Sequence, residues 1–379
     1  MDRDVKTDIL LNPITFVRNS TGDRLQILYV TFVDYGHCSS GSSVRPHMML
    51  DAFLDLGHKV HLLEGFQNKR SERRKRVKQV IAWLDHNRPD FCYVEPPTGP
   101  FFNSIDLTLL RKVNRMGIPI GLFYRDAYWM FPSLFPMVVW KRMILKLMHK
   151  RDLRLFEKVC DLMYFPSTSF SSLFCDYRFH KVSLLPPGGN AVPFRENTFH
   201  RREYIYVGGT SESCGALRLI EVFRRLNQED DLNANLTFIT HSAANLQDKH
   251  YQYSWLNIQH TFDRVELESY YQKATYALIP RRIDAYTNLA QPLKLFEYLG
   301  YGIPVISTCC YETKRVISEG NCGLLCDDNI DAMVSVIKQS LSNEEQYLEF
   351  KNNAILFGQS NRWLDRALSV VNDLGGART

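Results

Sequence analysis

The chain reads as short apolar runs set between stretches of helical period. Leu25–Val33 (LQILYVTFV) shows no apolar–polar alternation, the mark of a strand covered on both faces. Comparable runs follow at His58–Leu63, Asp90–Glu95, Ile118–Tyr124, Leu162–Pro166 and Lys181–Leu185. Helical patterns separate them at about His47–Leu56, Ser71–Asn87, Asn103–Met116, Met137–Val159 and Ser169–Tyr177. Strands that alternate with helices predict a parallel, doubly wound sheet. Leu185 to Phe194 (LPPGGNAVPF) has the proline and glycine density of a linker. The plan then restarts, with strands at Tyr204–Val207, Leu236–Thr240, Ala274–Ile279 and Val305–Ser307. Its helices fall at Cys214–Leu226, Val265–Gln272, Pro292–Leu299, Val316–Glu319, Ile330–Leu341, Asn343–Phe350 and Asn361–Leu374. The expected architecture is α/β, with two doubly wound domains at 1–187 and 188–360 and a closing helix within 361–379. Residues 1–24 read as a polar lead-in.

The densest local signal is Gln291–Ser307, QPLKLFEYLGYGIPVIS. Pro292 suits a helix's first turn, where its missing N–H costs nothing. Leu293, Phe296 and Leu299 keep a helical step that faces inward, with Leu295 on the flank. Gly300, Gly302 and Pro304 stop the helix before an apolar strand. Lys294 and Glu297 are three apart and therefore neighbours on the helix surface. If the helix start faces a ligand, its free N–H groups and Lys294 favour an anion, and Glu297 accepts from hydroxyls. A solvent-exposed ion pair accounts for the same two residues.

Three further places carry candidate chemistry. The turn Gly208-Gly209-Thr210-Ser211 after a strand lets backbone N–H groups approach an anion, or is a plain connection. Arg125 and Asp126 follow the strand IPIGLFY at the end where doubly wound sheets hold ligands. Apolar surroundings would raise the Asp126 pKa towards a useful base, and Arg125 would lower it. An Arg–Asp pair closing a loop is the plainer reading. The loop YGHCSSGSSVRP lacks both GxGxxG and GxxxxGK spacing, which leaves it as a flexible connection or a ligand loop. His241 follows the strand LTFIT as a loop histidine that borders any ligand bound there.

Composition narrows the class. Hydrophobic content of 45 % and charged content of 23 % are those of a globular protein, and 379 residues fit two domains. No apolar stretch reaches the ~18 residues of a membrane span. The N-terminus MDRDVKTDILL lacks the basic-then-apolar order of a signal peptide, which leads to the expectation of a cytoplasmic protein. Nine cysteines are scattered without a CxxC pair or a zinc set, so reduced thiols and no metal are expected. Residues 1–190 hold 27 Lys and Arg against 18 Asp and Glu, a net of +9, and the remainder holds 19 against 23, a net of −4. The basic excess includes two helices. SERRKRVKQVIAWL (71–84) is one, and 137–158, which mixes Trp140, Met143, Ile144 and Leu147 with Lys141, Arg142, Lys146, Lys150, Arg151 and Arg154, is the other. That mixture suits an anionic membrane surface or a solvated helix face. No reader motif accompanies the charge, so no nucleic-acid partner is expected.

PLKLFEYLGYGIPVIS resembles the donor-site segment of GT-B glycosyltransferases, in particular those with a GT4-like C-terminal domain, bacterial polysaccharide enzymes among them. The resemblance implies two Rossmann-like domains facing a cleft, with the closing helix crossing back to the first. It assigns donor binding to Glu297 at the ribose, to Lys294 beside the diphosphate and to Gly208, Gly209, Thr210 and Ser211 beside the phosphates. Two departures stand out. Leu289 replaces a second glutamate, and no Arg or Lys directly follows the turn in GGTSESCGA, so Arg281 and Arg282 are the candidates to supply that charge. His241 joins the donor side at the nucleotide base. Asp126 and Arg125 become the catalytic candidates, and Gly41, Ser42 and Arg45 the acceptor loop. The implied activity is metal-independent transfer of a sugar, a UDP-hexose being the expected donor, to a saccharide or lipid-linked acceptor in cell-surface polysaccharide synthesis. No cofactor beyond the nucleotide-sugar co-substrate is implied, and a lipid acceptor suits a peripheral position at the inner face of the membrane. Inversion needs a base at the acceptor hydroxyl, whereas a front-face retaining route uses the leaving phosphate; the residues do not choose. Two rivals share the features: a GT-B-like sugar-nucleotide epimerase, and a non-catalytic, membrane-docked nucleotide-binding subunit.

Overall fold

The computed structural model describes residues 13–17, 24–33, 41–241, 246–261 and 263–375. The chain divides into two compact units, residues 1–186 with 363–379, and residues 187–362.

The first unit begins with β1 (Ile14–Phe16) and β2 (Gln26–Thr31), then α1 (Gly41–Asp55), β3 (Lys59–Leu63), α2 (Arg70–Trp83) and β4 (Phe91–Glu95). It continues through α3 (Ser104–Arg115), β5 (Ile120–Phe123), α4 (Val139–Val159), β6 (Leu162–Phe165), α5 (Thr168–Ser171) and β7 (Val182–Leu184). Seven strands form one sheet in the order β1-β3-β2-β4-β5-β6-β7, parallel except at β1. The order reverses between β2 and β4, which opens a crevice at their carboxyl ends. β4, buried throughout, and β2, buried after Gln26, explain the runs without alternation, because helices cover both faces of the sheet. The helix at residues 363–375 packs on α1. Leu374 fills the space left by Gly121, where an added Cβ would come within 2.6 Å of it. Tyr164 and Lys181 reach Asp373 at 3.1 and 3.0 Å.

The second unit runs β8 (Glu203–Val207), α6 (Leu217–Gln228), β9 (Asn235–Ile239), β10 (Leu256–Gln259), α7 (Arg264–Lys273), β11 (Tyr276–Ile279) and α8 (Leu293–Gly300). Then come β12 (Val305–Thr308), α9 (Tyr311–Gly320), β13 (Gly323–Cys326), α10 (Ile330–Ser340) and α11 (Glu344–Gln359); α12 (Trp363–Gly375) is the helix already placed in the first unit. The sheet is wholly parallel in the order β10-β9-β8-β11-β12-β13, and its reversal falls between β8 and β11. Two apolar clusters pack on its opposite faces, one around Phe223, Phe238 and Tyr276 and the other around Leu295, Leu299 and Val305.

The sequence pattern needs several corrections. Ile14–Phe16, within the stretch read as a lead-in, is an edge strand antiparallel to β3; three half-exposed residues are too few for a pattern. Helix α1 starts at Gly41, not near His47, and runs through Pro46. Gly41, Ser42 and Arg45 therefore lie on helical turns and not in a loop, while residues 34–40 of that loop lie outside the described residues. Strands β10 and β13 were not read, because Asn257 and Gln259 dilute the first and Gly323 opens the second. The helix expected at Ser169–Tyr177 is a single turn followed by a 3-10 turn. Helix α6 begins at Leu217, after a 3-10 turn at Glu212–Cys214 and Gly215 at φ +66°.

Candidate functional site

Parallel strands aim their carboxyl ends at one edge, and in the second unit that edge gathers most of the sequence's donor-side candidates. Gly208 to Ser211 follow β8, His241 follows β9, Arg281 and Arg282 follow β11, and Lys294 sits in the first turn of α8. Helix α8 is held there by its buried face, Leu295, Phe296, Tyr298 and Leu299. Leu293 is only half-buried, so the inward stripe is turned by one residue from the expected one. Tyr298 is buried, and its hydroxyl accepts from the Val207 N–H at 2.9 Å. That bond ties α8 to the last residue of β8. Gly302 turns the chain out of the helix at φ +66°.

Lys294 Nζ lies 2.8 Å from Glu297 Oε2, and the two side chains are 28 % and 27 % exposed. A third residue joins them: the Tyr271 hydroxyl, from α7, donates to Glu297 Oε1 at 2.9 Å and accepts from Lys294 Nζ at 3.3 Å. Burial, with the Glu297 charge next, keeps the Tyr271 phenol protonated far above its ordinary range. The hydroxyl thus remains a donor that orients Glu297. His241 has its pKa lowered, by desolvation first and by the Lys294 charge second, which places the imidazole within electrostatic reach of Lys294. The sequence pattern did not find Tyr271, since in α7 it looks like a packing tyrosine.

The glycine turn is shaped by its neighbours. Tyr206 donates to the Gly209 carbonyl at 2.7 Å, and a Cβ on Gly208 would fall 2.5 Å from that hydroxyl. Gly209 is open, with Cys214 Sγ at 3.7 Å as the one neighbour of an added Cβ. Helix α6 does not follow the turn directly, because the 3-10 turn at Glu212–Cys214 and Gly215 stand between its N-terminus and Gly208–Ser211. Its first turn instead carries Arg218, which donates to the Pro280 carbonyl at 2.9 Å and pairs with Asp328. Asp328 also holds Arg282 at 3.6 Å and accepts from the Ile283 N–H at 2.9 Å. Arg281 makes no ion pair among the described residues, so of the two arginines it is the one whose charge is unspent.

In the first unit Arg125 Nε lies 3.3 Å from Asp126 Oδ2, and Thr98 Oγ1 donates to the same oxygen at 2.7 Å. The pair sits beyond the carboxyl end of β5. Below it, Tyr124 shares its hydroxyl with His149 Nδ1 at 3.2 Å and with the Trp129 indole N–H at 3.3 Å, and Trp129 stacks on His149 at 5.0 Å. Burial pulls the His149 pKa down to about 4, so the ring is neutral. Arg45 lies in helix α1 and faces the interior of the first unit. It is 2 % exposed, pairs with Glu95 at 3.4 Å, lies over the Phe123 ring at 3.5 Å and over that of Trp363 at 5.6 Å. Nothing brings it to Asp126.

The two basic helices differ. In α2, Arg73 is buried, pairs with Asp106 at 3.2 Å and donates to the Thr31 carbonyl at 2.7 Å. Arg76 pairs with Glu64 and Glu72. Arg74, Lys75 and Lys78 on the same helix are exposed, with no large apolar side chain of α2 exposed beside them. In α4 only the second half is buried, from His149 to Val159. Its first half leaves Trp140 59 %, Met143 60 % and Leu147 66 % exposed beside Lys141 and Lys146. No helix among the described residues is long and apolar enough to cross a membrane.

Two doubly wound sheets, with a polar cluster at the strand ends of the second, define a GT-B protein. Residues 194–357, within the second unit, match the family described as glycosyl transferases group 1. Solved structures repeat the architecture. Sucrose-phosphate synthase from Thermosynechococcus elongatus is 13 % identical at a TM-score of 0.67, over 92 % of this chain and 98 % of that one. WaaG, a glycosyltransferase involved in lipopolysaccharide biosynthesis, is 13 % identical at 0.65, over 93 % and 100 %. A trehalose-6-phosphate structure from E. coli bound with UDP-2-fluoro glucose is 11 % identical at 0.59, over 92 % and 99 %. No curated protein sequence matches the chain.

Proposed function

We propose that the chain transfers a hexosyl group from a UDP-sugar to a saccharide or lipid-linked acceptor in cell-surface polysaccharide synthesis. The observation that carries this reading is the Lys294–Glu297–Tyr271 cluster on a group 1 domain, at the reversal point of a parallel sheet. Glu297, oriented by Tyr271, accepts from the ribose hydroxyls. Lys294, the α8 N-terminus and Arg281 stabilise the diphosphate as it departs. Gly209 lets the backbone approach the phosphates, and His241 borders the base. In the reaction the acceptor oxygen bonds to the anomeric carbon, the bond from that carbon to the diphosphate breaks, and the hydroxyl proton leaves. Asp126 takes that proton on an inverting route and the departing phosphate takes it on a retaining one. Arg125 pairs with Asp126 and holds it at the strand end. The exposed first half of α4 docks on an anionic membrane surface, which supports a lipid-linked acceptor and a peripheral location. WaaG, a lipopolysaccharide glycosyltransferase, and the structure bound with UDP-2-fluoro glucose are in keeping with this chemistry. A thermal-shift and hydrolysis screen against UDP-, GDP- and dTDP-sugars, with Glu297→Ala as control, tests it. Stabilisation by the UDP class, lost in the variant, is expected; stabilisation by none would remove the donor-site reading.

A further inference from the structure

A cavity lies at the end of the second sheet opposite the donor candidates. Its walls come from the end of α6, the segment leading into β9 and the segment leading into β10, all at the amino ends of parallel strands. The donor candidates sit at the carboxyl ends of the same strands. The cavity holds about 520 Å³, within the ~300–1,000 Å³ of small-molecule sites.

Its lining is polar but carries no charged side chain: Asn227, Gln228, Asn233, Gln252, Tyr253 and Trp255 provide most of it. Asn227 builds the wall, spending its amide on the Phe223 and Ala234 carbonyls and accepting from the Ala234 N–H. Asn233, at φ +49°, and Gln252 make no side-chain hydrogen bond among the described residues, and Gln228 engages only its oxygen, accepting from Arg224. Tyr253 stacks on Trp255 at 4.7 Å with 13° between the rings, and Phe223 backs Trp255 at 6.4 Å. The Trp255 indole N–H takes no protein acceptor among the described residues and is not sealed from solvent. Amides that both donate and accept match the paired hydroxyls of a sugar ring, and the partly exposed Tyr253 ring, stacked on the buried Trp255, offers an apolar face to its C–H side. Phosphate or nucleic acid would need cations that the lining lacks.

We infer that this cavity is a non-catalytic binding site for a neutral oligosaccharide, separate from the donor site. It would hold a remote part of a glycan chain, so it extends the proposed function without depending on the UDP assignment. The test uses maltotetraose, cellotetraose and mannotetraose, followed by saturation-transfer NMR and tryptophan fluorescence on the full chain. At least one should bind saturably, weaken by about fivefold or more in Gln228→Ala/Gln252→Ala, and be unaffected by Lys294→Ala or by saturating UDP. The inference is overturned if none binds saturably up to about 10 mM. It is equally overturned if binding survives the double substitution, or is lost with Lys294→Ala or on adding UDP. Stabilisation by UDP in the same preparation shows whether the donor site stands on its own.

Discussion

Replacing Glu297 by Gln separates a ligand-binding carboxylate from a surface ion pair. In structural terms the substitution is mild. Lys294 and Glu297 are partly exposed and three apart on one helix, and such pairs contribute about 0.2–0.5 kcal/mol. Gln keeps an oxygen for the Tyr271 hydroxyl, so that bond survives as a neutral one. For a unit of this size the melting temperature should fall by only about 1–2 °C. The effect on ligand binding is larger. Two ribose hydroxyls donating to a carboxylate lose about 1–1.5 kcal/mol each when the acceptor becomes an amide, which makes about 2–3 kcal/mol in all. That corresponds to a rise in the UDP dissociation constant of about 30- to 150-fold. Lys294, released from its partner, attracts the diphosphate more strongly and offsets part of the loss, so Lys294→Met is measured in parallel. Calorimetric titration with UDP gives the affinity, and differential scanning fluorimetry gives the stability. A UDP affinity within about twofold of the parent would refute the ribose assignment. A melting temperature lowered by more than about 5 °C with affinity unchanged would make the cluster structural.

Four further outcomes follow from the geometry. Gly215→Ala should cost about 3 kcal/mol or more, since φ is +66° and the new Cβ would lie 1.8 Å from the Pro280 carbonyl oxygen, while Gly209→Ala should leave the melting temperature nearly unchanged and weaken UDP binding; equal melting temperatures for the two would contradict the turn as described. His61 and His149 are held neutral by burial, with the Lys59 charge a second cause at His61, and their pKa values drop to about 4. The stability they lend is complete above the unfolded value near 6.5 and is lost as pH falls from there towards 4, by about 3 kcal/mol for each; urea midpoints that stay flat between pH 7 and 4.5 would oppose this. Trp140→Glu/Met143→Glu/Leu147→Glu should abolish flotation with phosphatidylglycerol vesicles while leaving UDP binding intact, and flotation that persists would move docking away from α4. Asp126→Asn should lower turnover by about 100-fold or more if the carboxylate takes the acceptor proton, whereas near-normal turnover leaves it with Thr98 and Arg125 as a loop closure.

Strand and helix alternation was legible because parallel strands buried on both faces leave unbroken apolar runs, as in Phe91–Glu95. What escaped had weaker local marks. Ile14–Phe16 is a strand only through its pairing with Val60 to Leu62, a contact across more than forty residues. Pro46 argued for a loop, yet α1 tolerates it in its second turn, where the helix is already held by buried Met49 and Phe53. Lys294 and Glu297 could be paired from spacing alone because a helix fixes neighbours at three residues. Tyr271 could not, since α7 delivers its hydroxyl across 26 positions. Arg218 was passed over for a related reason: Gly215 and a 3-10 turn delay the helix, and only the fold brings the guanidinium to Pro280 and Asp328.

Net charge counts residues whose charge is spent internally. Of the first half's net of +9, Arg45 and Arg73 are buried against Glu95 and Asp106. Each of these pairs gives up hydration that its mutual attraction only partly restores, so their positions reflect geometry more than stabilisation. Arg73 stacks over Phe32 and bonds the Thr31 carbonyl at the end of β2, and Arg45 stacks over Phe123 at the end of β5. Both arginines therefore brace the carboxyl edge of the first sheet, the edge that also carries Asp126. The solvent-facing positive charge that remains beside exposed apolar side chains is concentrated on the first half of α4. A membrane contact there rests on Trp140, Met143 and Leu147 entering the interface, with Lys141 and Lys146 adding about 1 kcal/mol each at an anionic surface. Added salt screens only that smaller electrostatic part, which distinguishes insertion of α4 from adsorption by net charge.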